Sequence, residues 1–183
     1  MPTVAFHDFA SWLSGGKVLA ELTTPPSKKD KRNGPTAVID NDLSPGKCWT
    51  IDGSHGQIGI QLSAAMFVTH ITVEHVAKGL VDRVISAPKN MLVWGVTKSQ
   101  TSPMGPRSNS ARPGISHPQF SFVLLGSLRY QIAYSSNRQT YVLQHSHGTG
   151  TFEAVVVEIL DNWGGESTCI YGIRIHGHLE GLG

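Results

Sequence analysis

The chain has 183 residues, enough for one domain, with 39% hydrophobic residues, only 15% charged residues and a formal net charge of +2. A chain of this size can bury roughly 70% of its unfolded surface, so its core needs no metal or disulfide staple. So small a charge argues against nucleic acid as a partner, no apolar run approaches the ~20 residues of a membrane span, and no signal-like apolar stretch opens the chain. Any membrane or targeting segment is therefore expected upstream.

In chain order, residues Phe6 to Leu13 predict a short amphipathic helix with Phe6, Phe9, Trp12 and Leu13 on one side, ended by Gly15-Gly16. Val18 to Leu22 is a weak strand candidate. Thr23 to Pro35 is rich in Pro, Lys and Asp and predicts a solvated, mobile loop. Gln57 to Leu62 and Phe67 to Val76 alternate as half-buried strands do, with Ile71, Val73 and His75 on one face and His70, Thr72 and Glu74 on the other. Further strands are expected over Met91–Val96, Leu124–Ala133, Arg138–Leu143, Phe152–Leu160 and Cys169–His176. Val155-Val156-Val157 is apolar on both faces and reads as central. Residues 99–119, with Pro103-Met104-Gly105-Pro106, form a second mobile loop between strands. No helical pattern separates the strands, and 20 glycines and 10 prolines supply turns. The expected fold is all-β, an antiparallel β-sandwich of the jelly-roll or galactose-binding-like kind with a short N-terminal helix, in one domain over 1–183 with its core at about 6–177.

Enzyme signatures are missing: no nucleophile elbow, no phosphate-binding loop, no His-Glu-x-x-His. Glu74, His75 and Ser86 have no triad spacing, so the chain is not expected to be an enzyme. His145-Ser146-His147 and His176-Gly177-His178 could each present two imidazoles on one face, but no carboxylate pattern completes a ligand set, and they read as turn or surface histidines. The segment Val38 to Cys48 holds Asp40, Asp42 and Pro45-Gly46. It is either an ordinary Asx-type turn or a loop whose carbonyls turn inward on a hard cation. The only two cysteines, Cys48 and Cys169, lie far apart, and their count alone leaves open two free buried thiols or a covalent tie.

An ordered set of blocks narrows these alternatives. Phe9-Ala10, Gly15-Gly16-Lys17-Val18, Pro45-Gly46-Lys47-Cys48-Trp49 with Gly53 and Gly56, Thr72 to Val76, and Ser86-Ala87-Pro88-Lys89 come in that order. Leu125-Gly126, Glu158-Ile159, Asn162-Trp163-Gly164, Thr168 to Tyr171 and Arg174 to Gly177 follow. Together they resemble the SUN domain, the lumenal module of inner nuclear membrane proteins, over about Phe6 to Gly177.

The resemblance implies a trimeric, non-enzymatic tether. Its place is the nuclear envelope, anchored in the inner nuclear membrane with the domain in the perinuclear lumen. There it binds the C-terminal tail of KASH proteins and couples the nucleus to the cytoskeleton as part of a LINC complex. The alternative is a SUN-like module of the endoplasmic reticulum that recognises glycan or membrane-protein partners. The resemblance also implies a Cys48–Cys169 disulfide in an oxidising compartment, and a monovalent cation, potassium or sodium, held by backbone carbonyls of Ala37, Asp40, Asp42, Lys47 and Tyr171. It implies a pocket for the tail's free carboxylate that includes His75, Ser86 and Tyr171, with Ser167 where animal members carry a tyrosine. The lid that would add a strand to the peptide falls between about Ala20 and Pro35. Here it is short, charged and without cysteine, so an intermolecular disulfide at that position is excluded. These departures, and the insertion around Pro103 to Pro118, imply a fungal or otherwise divergent member.

Overall fold

Alternation of apolar and polar residues, rather than helical periodicity, organises the chain, and the computed structural model follows it closely. It describes residues 6–77, 79–80, 84–99, 111–146 and 148–181. Among the described residues nine strands run β1 (Lys17–Leu19), β2 (Trp49–Asp52), β3 (Gly56–Glu74), β4 (Asn90–Lys98), β5 (Phe120–Arg129), β6 (Arg138–Val142), β7 (Phe152–Ile159), β8 (Ser167–Ile170) and β9 (Gly172–His178). All pairings are antiparallel.

One layer has the order β1-β3-β7-β4-β5, and the other is built where β6 and β9 flank the second half of β3. The strand β3 belongs to both. Its residues 56–61 pair with β7, its residues 67–74 pair with β9, and a register shift between Gln61 and Met66 marks the crossing. The two strands expected at 57–62 and 67–76 are thus one strand bent at a bulge, the device by which a strand passes from one sheet to the next. The architecture is the antiparallel sandwich expected from the sequence.

The valine run of β7 is central, as its two apolar faces require. Val155, Val157 and Ile159 join the core between the sheets, with Trp49, Ile58, Ile71 and Ile175. Ala154 and Val156 face a second cluster with Leu22, Trp94 and Val96 on the outer side of the larger sheet. The polar face of β3 is also shielded. Thr72 and Glu74 are 1% and 2% exposed. The Glu74 carboxylate accepts two hydrogen bonds from Arg174 at 2.8 and 3.1 Å, and Arg138 lies at 3.2 Å. A carboxylate is tolerated at such a depth only with charge partners of this kind.

The expected N-terminal helix does not form. Only Trp12–Ser14 make a 3₁₀ turn, and of the four apolar residues only Phe9 is buried, while Phe6, Trp12 and Leu13 are 48%, 54% and 68% exposed. Tertiary hydrogen bonds hold this segment instead. Phe9 donates its N–H to the Ile175 carbonyl at 2.9 Å and accepts one from Ser63 at 2.9 Å. An eight-residue helix is too short to compete with such pairing. Gly16 has a packing reason: a Cβ there would sit 2.0 Å from the Ala10 carbonyl oxygen.

A separate two-stranded ribbon, β2 paired with β8, sits at one end of the molecule, with Thr50 opposite Cys169. There Cys48 and Cys169 form a disulfide across 121 residues of sequence, with Cα atoms 5.5 Å apart. Replacing Cys48 by Ser is expected to lower the unfolding free energy by up to about 4–5 kcal/mol, the chain-entropy value for so long a loop. It should also raise amide exchange over residues 40–47. An unchanged denaturant midpoint with unchanged exchange would show that the bond constrains nothing.

Candidate functional site

The disulfide gathers the loops at its end of the sandwich. Cys48 packs with Val76 and Tyr171, against Leu43 and Cys169. The loop before Cys48 begins in a 3₁₀ turn, Pro35–Ile39, whose Val38 and Ile39 are buried and anchor it. It then turns at Gly46, whose φ of 85° favours glycine. Two hydrogen bonds fix that glycine: its N–H donates to the Tyr171 hydroxyl at 3.1 Å, and its carbonyl accepts from Asn33 Nδ2 at 2.8 Å. Tyr171, 3% exposed, lies between β8 and β9 and so ties the loop to the closing strands.

Two clefts flank this tie. One, of about 440 Å³, is lined by four of the five residues expected to hold a cation, Ala37, Asp40, Asp42 and Lys47, together with Trp12 and Arg32. Trp12 Nε1 donates to Asp40 Oδ1 at 3.4 Å. The Asp42 carboxyl is held below its ordinary range by hydrogen bonds from Ser44. The fifth expected residue, Tyr171, lines the neighbouring cleft. Among the described residues no group of three His, Cys, Asp or Glu side chains is placed to hold a metal.

The second cleft, of about 510 Å³, brings together three of the four expected pocket residues, Ser86, Ser167 and Tyr171, alongside both cysteines. Ser86 is fixed by main-chain bonds: its carbonyl accepts from Cys169 N–H at 2.8 Å, and the Ile85 carbonyl accepts from Gly165 N–H at 3.1 Å. A Cβ at Gly165 would sit 3.1 Å from the Ser86 Cα, so that glycine permits the close approach.

His75 lies behind this cleft rather than in it. It is 3% exposed, its ring meets the Tyr171 ring edge-on at 4.8 Å, and its Nε2 has no hydrogen-bond partner among the described residues. Burial, which disfavours the imidazolium, pulls its pKa down to about 4. Glu74, the next residue back, is held by Arg174, so Glu74, His75 and Ser86 do not assemble as a hydrolase trio. Of the other histidines, His176 is buried between Thr72 Oγ1 at 2.7 Å and the His7 carbonyl at 2.9 Å, and His178 stacks on Phe67. His145 is half of a pair whose partner, His147, lies outside the described residues.

The segment 23–35, read as a mobile loop, lies against the ribbon. Ser27 is 1% exposed. Its hydroxyl donates to the Asp52 carboxylate and accepts the N–H groups of Lys29 and Asp30 at 3.1 Å each. Asp30 then receives Arg32 side-on, from Nε at 3.0 Å and Nη2 at 2.8 Å, and the Thr50 hydroxyl at 3.3 Å. The Arg32 guanidinium holds the Asp30 carboxyl well below the usual carboxylate range. The basic side chains themselves are solvated, as expected, with Lys28, Lys29, Lys31 and Arg32 all exposed. What holds the segment is Ser27 together with Asp-x-Arg, a spacing that lets a turn close on its own ion pair. In the second loop, residues 100–110 lie outside the described residues. The returning limb is clamped to the outer face of the larger sheet, where Gly114 N–H donates to Glu158 at 2.6 Å and Gln57 makes a two-point contact with Ile115, accepting its N–H at 2.8 Å and donating to its carbonyl at 2.9 Å.

Comparison with known proteins bears on this geometry. The sequence model of the family described as Sad1/UNC-like C-terminal matches residues 28–179. Relatives include SUN domain-containing protein 2 of Mus musculus, 32% identical over 146 residues, or 78% of this chain and 17% of that protein. SUN domain-containing protein 5 of Homo sapiens is 29% identical over 148 residues, or 79% of this chain and 33% of that protein. The chain thus spans a third or less of the length of these relatives. Among solved structures, the family 32 carbohydrate-binding module of Streptococcus pneumoniae EndoD superposes with a TM-score of 0.63 at 12% identity, covering 94% of this chain and all of that one. Allantoicase of Saccharomyces cerevisiae gives 0.58 at 14% identity, over 96% of this chain and 44% of that one. These structures support the sandwich fold.

Because His75 is buried neutral, it links stability to pH. Its folded pKa, about 4, lies below the unfolded value of about 6.5, so the unfolded chain binds more protons between them and stability rises with pH. The contribution is complete above about pH 6.5 and is lost as pH falls toward about 4, for a total of up to about 3 kcal/mol. Urea midpoints of the wild type should fall across that window more than those of His75→Gln. Parallel curves would show that His75 titrates alike in both states.

Proposed function

Because the chain belongs to the SUN-domain family, the Sad1/UNC-like C-terminal family, we propose that it is the lumenal tail-binding domain of a nuclear-envelope bridge. In this reading it is carried by an inner nuclear membrane protein and faces the perinuclear space. Three copies assemble to grip C-terminal tails of KASH proteins and couple the nucleus to the cytoskeleton. Among the described residues no helix is long and apolar enough to cross a membrane.

The observation that carries the reading is the second cleft. Ser86 arrives from one segment, Ser167 and Tyr171 from the start and just past the end of β8, and they converge on one hollow beside the disulfide. Hydroxyl donors on a rigid floor suit a chain-terminal carboxylate, which accepts several hydrogen bonds at once and which an internal peptide segment cannot present. Ser167 leaves more room than an aromatic residue would, so the hollow accepts a bulkier final residue. The Tyr171 hydroxyl already accepts the Gly46 N–H, so its own proton remains available to a ligand.

The first cleft suits the cation of this reading. It offers carbonyl and carboxylate oxygens, with neither thiol nor imidazole among its lining residues. That is the donor chemistry of a hard ion and not of a transition metal. Carbonyls of Ala37, Asp40, Asp42, Lys47 and Tyr171 would hold it, and it would stiffen the loop that Gly46 and Tyr171 tie down. One Ala37 lone pair already carries the Asp40 N–H, at 3.3 Å.

Two measurements test the proposal. Calorimetry with a KASH-tail peptide should show binding of the free acid to the wild type, about tenfold weaker binding to the Tyr171→Phe variant, the order expected for one lost hydrogen bond, and at least tenfold weaker binding of the amidated peptide to the wild type. Equal affinity for acid and amide would end the proposal. Exchange of potassium for choline should lower the thermal midpoint by an amount that saturates with potassium concentration, worth about 1–2 kcal/mol at ten times the dissociation constant. A midpoint indifferent to the cation would remove the ion from the loop.

A further inference from the structure

The tail pocket as built lacks a reachable positive charge from histidine. His75 is buried, its pKa is drawn down, and it sits behind Tyr171 with its ring against that phenol. A carboxylate brought into the cleft would meet hydroxyls, but no imidazolium. Desolvating a carboxylate against neutral donors alone is costly, and recognition sites for such groups supply a cation, most effectively a guanidinium.

Such a cation is present. Arg32 lines the same cleft as Ser86, Ser167 and Tyr171, and among the described residues it is the side chain common to this cleft and the loop cleft. Its guanidinium reaches the Gly46 turn: a Cβ built on Gly46 would lie 3.9 Å from Arg32 Nη1. It is also held in place. Asp30 takes Nε and Nη2, and Asp30 is in turn bonded to the Thr50 hydroxyl of β2 and, through its N–H, to Ser27. Two of the five guanidinium N–H groups are thereby spent on positioning, and both hydrogens of Nη1 remain for a ligand. Lys29 lines the same cleft and adds charge, while the Asp52 carboxylate is already engaged by the Ser27 hydroxyl and the Lys28 N–H. Glu166 and Asp52 are both exposed acids at this cleft, and they select against tails with acidic side chains near their end.

We infer that Arg32, oriented by Asp30, is the residue that receives the terminal carboxylate of the bound tail, and that its position between the two clefts makes it the link between tail and cation loop. The inference rests on the tail-binding reading given above and assigns its charge. It also explains why the lid segment can be short and polar: it carries an arginine to the pocket rather than offering an apolar strand.

The experiment uses the assembled wild-type protein, Arg32→Gln, Arg32→Lys and Asp30→Asn. The probe is a pooled library of peptides with randomised C-terminal residues, prepared once as free acids and once as C-terminal amides. The wild type should retain acids over amides by at least tenfold. Arg32→Gln should lose that preference while keeping its thermal midpoint and its residual binding of amides. Arg32→Lys should recover it in part, and Asp30→Asn should weaken acid binding by a few-fold, because the guanidinium loses its orientation. Raised salt should weaken wild-type binding more than that of Arg32→Gln. If the wild type shows no acid preference, the tail-binding reading falls and this inference falls with it. If the wild type shows it and Arg32→Gln retains it in full, the reading stands and Arg32 is not the receptor.

Discussion

Everything at the functional end of the molecule depends on the Cys48–Cys169 bond. The ribbon of β2 and β8 has four pairs and lies apart from the larger sheets. Two short strands by themselves are marginal in water. The disulfide fixes them, and with them the loop that leads into Cys48 and the Tyr171 that follows β8 by one residue. Ser86 then needs only one main-chain bond, to Cys169 itself, to complete the hollow. A single covalent link thus sets the relative positions of three segments that are remote in sequence.

A division of labour follows between a deep, apolar scaffold and a polar rim. The inner core is aliphatic and aromatic, with Trp49 and Ile51 entirely buried beneath the rim. Above it, the second cleft is lined by the hydroxyls of Ser86, Ser167 and Tyr171, the Asp30-held Arg32 guanidinium, Lys29 and the carboxylates of Asp52 and Glu166. Rigidity comes from below and selectivity from above, which is how binding sites carried on loops stay ordered enough to discriminate.

Much of this was legible in the sequence, and for identifiable reasons. The strands of the larger sheet announce themselves because one or both faces are apolar, and Val155-Val156-Val157 could only be central. The cysteines could be paired only through the resemblance, since nothing in their spacing selects a partner. Three features escaped. The Phe6–Leu13 pattern matches a helix, but extended pairing with Ile175 and Ser63 outcompetes a single turn of local hydrogen bonds. The strand β2 is four residues long, too brief for alternation to register. Finally, Ser63-Ala64-Ala65 reads as a break between two strands, whereas it is the bulge that lets one strand serve two sheets. At the site, Ser86, Ser167 and Tyr171 line one cleft with His75 behind it, and residue type alone cannot tell a histidine that lines a hollow from one that lies beneath it.

The dual membership of β3 also bears on how the molecule resists being deformed. In many sandwiches the two layers touch only through side chains and can shear past one another. Here nineteen consecutive residues run through both layers, so sliding one layer means stretching a continuous backbone clamped on each side by several hydrogen-bonded neighbours. The first described residues add to this by attaching beside the far end of that strand, at Ile175 of β9. Tension entering there runs along the strands and loads many amides at once rather than peeling them one by one, which makes the domain stiff in the direction of its own longest strand.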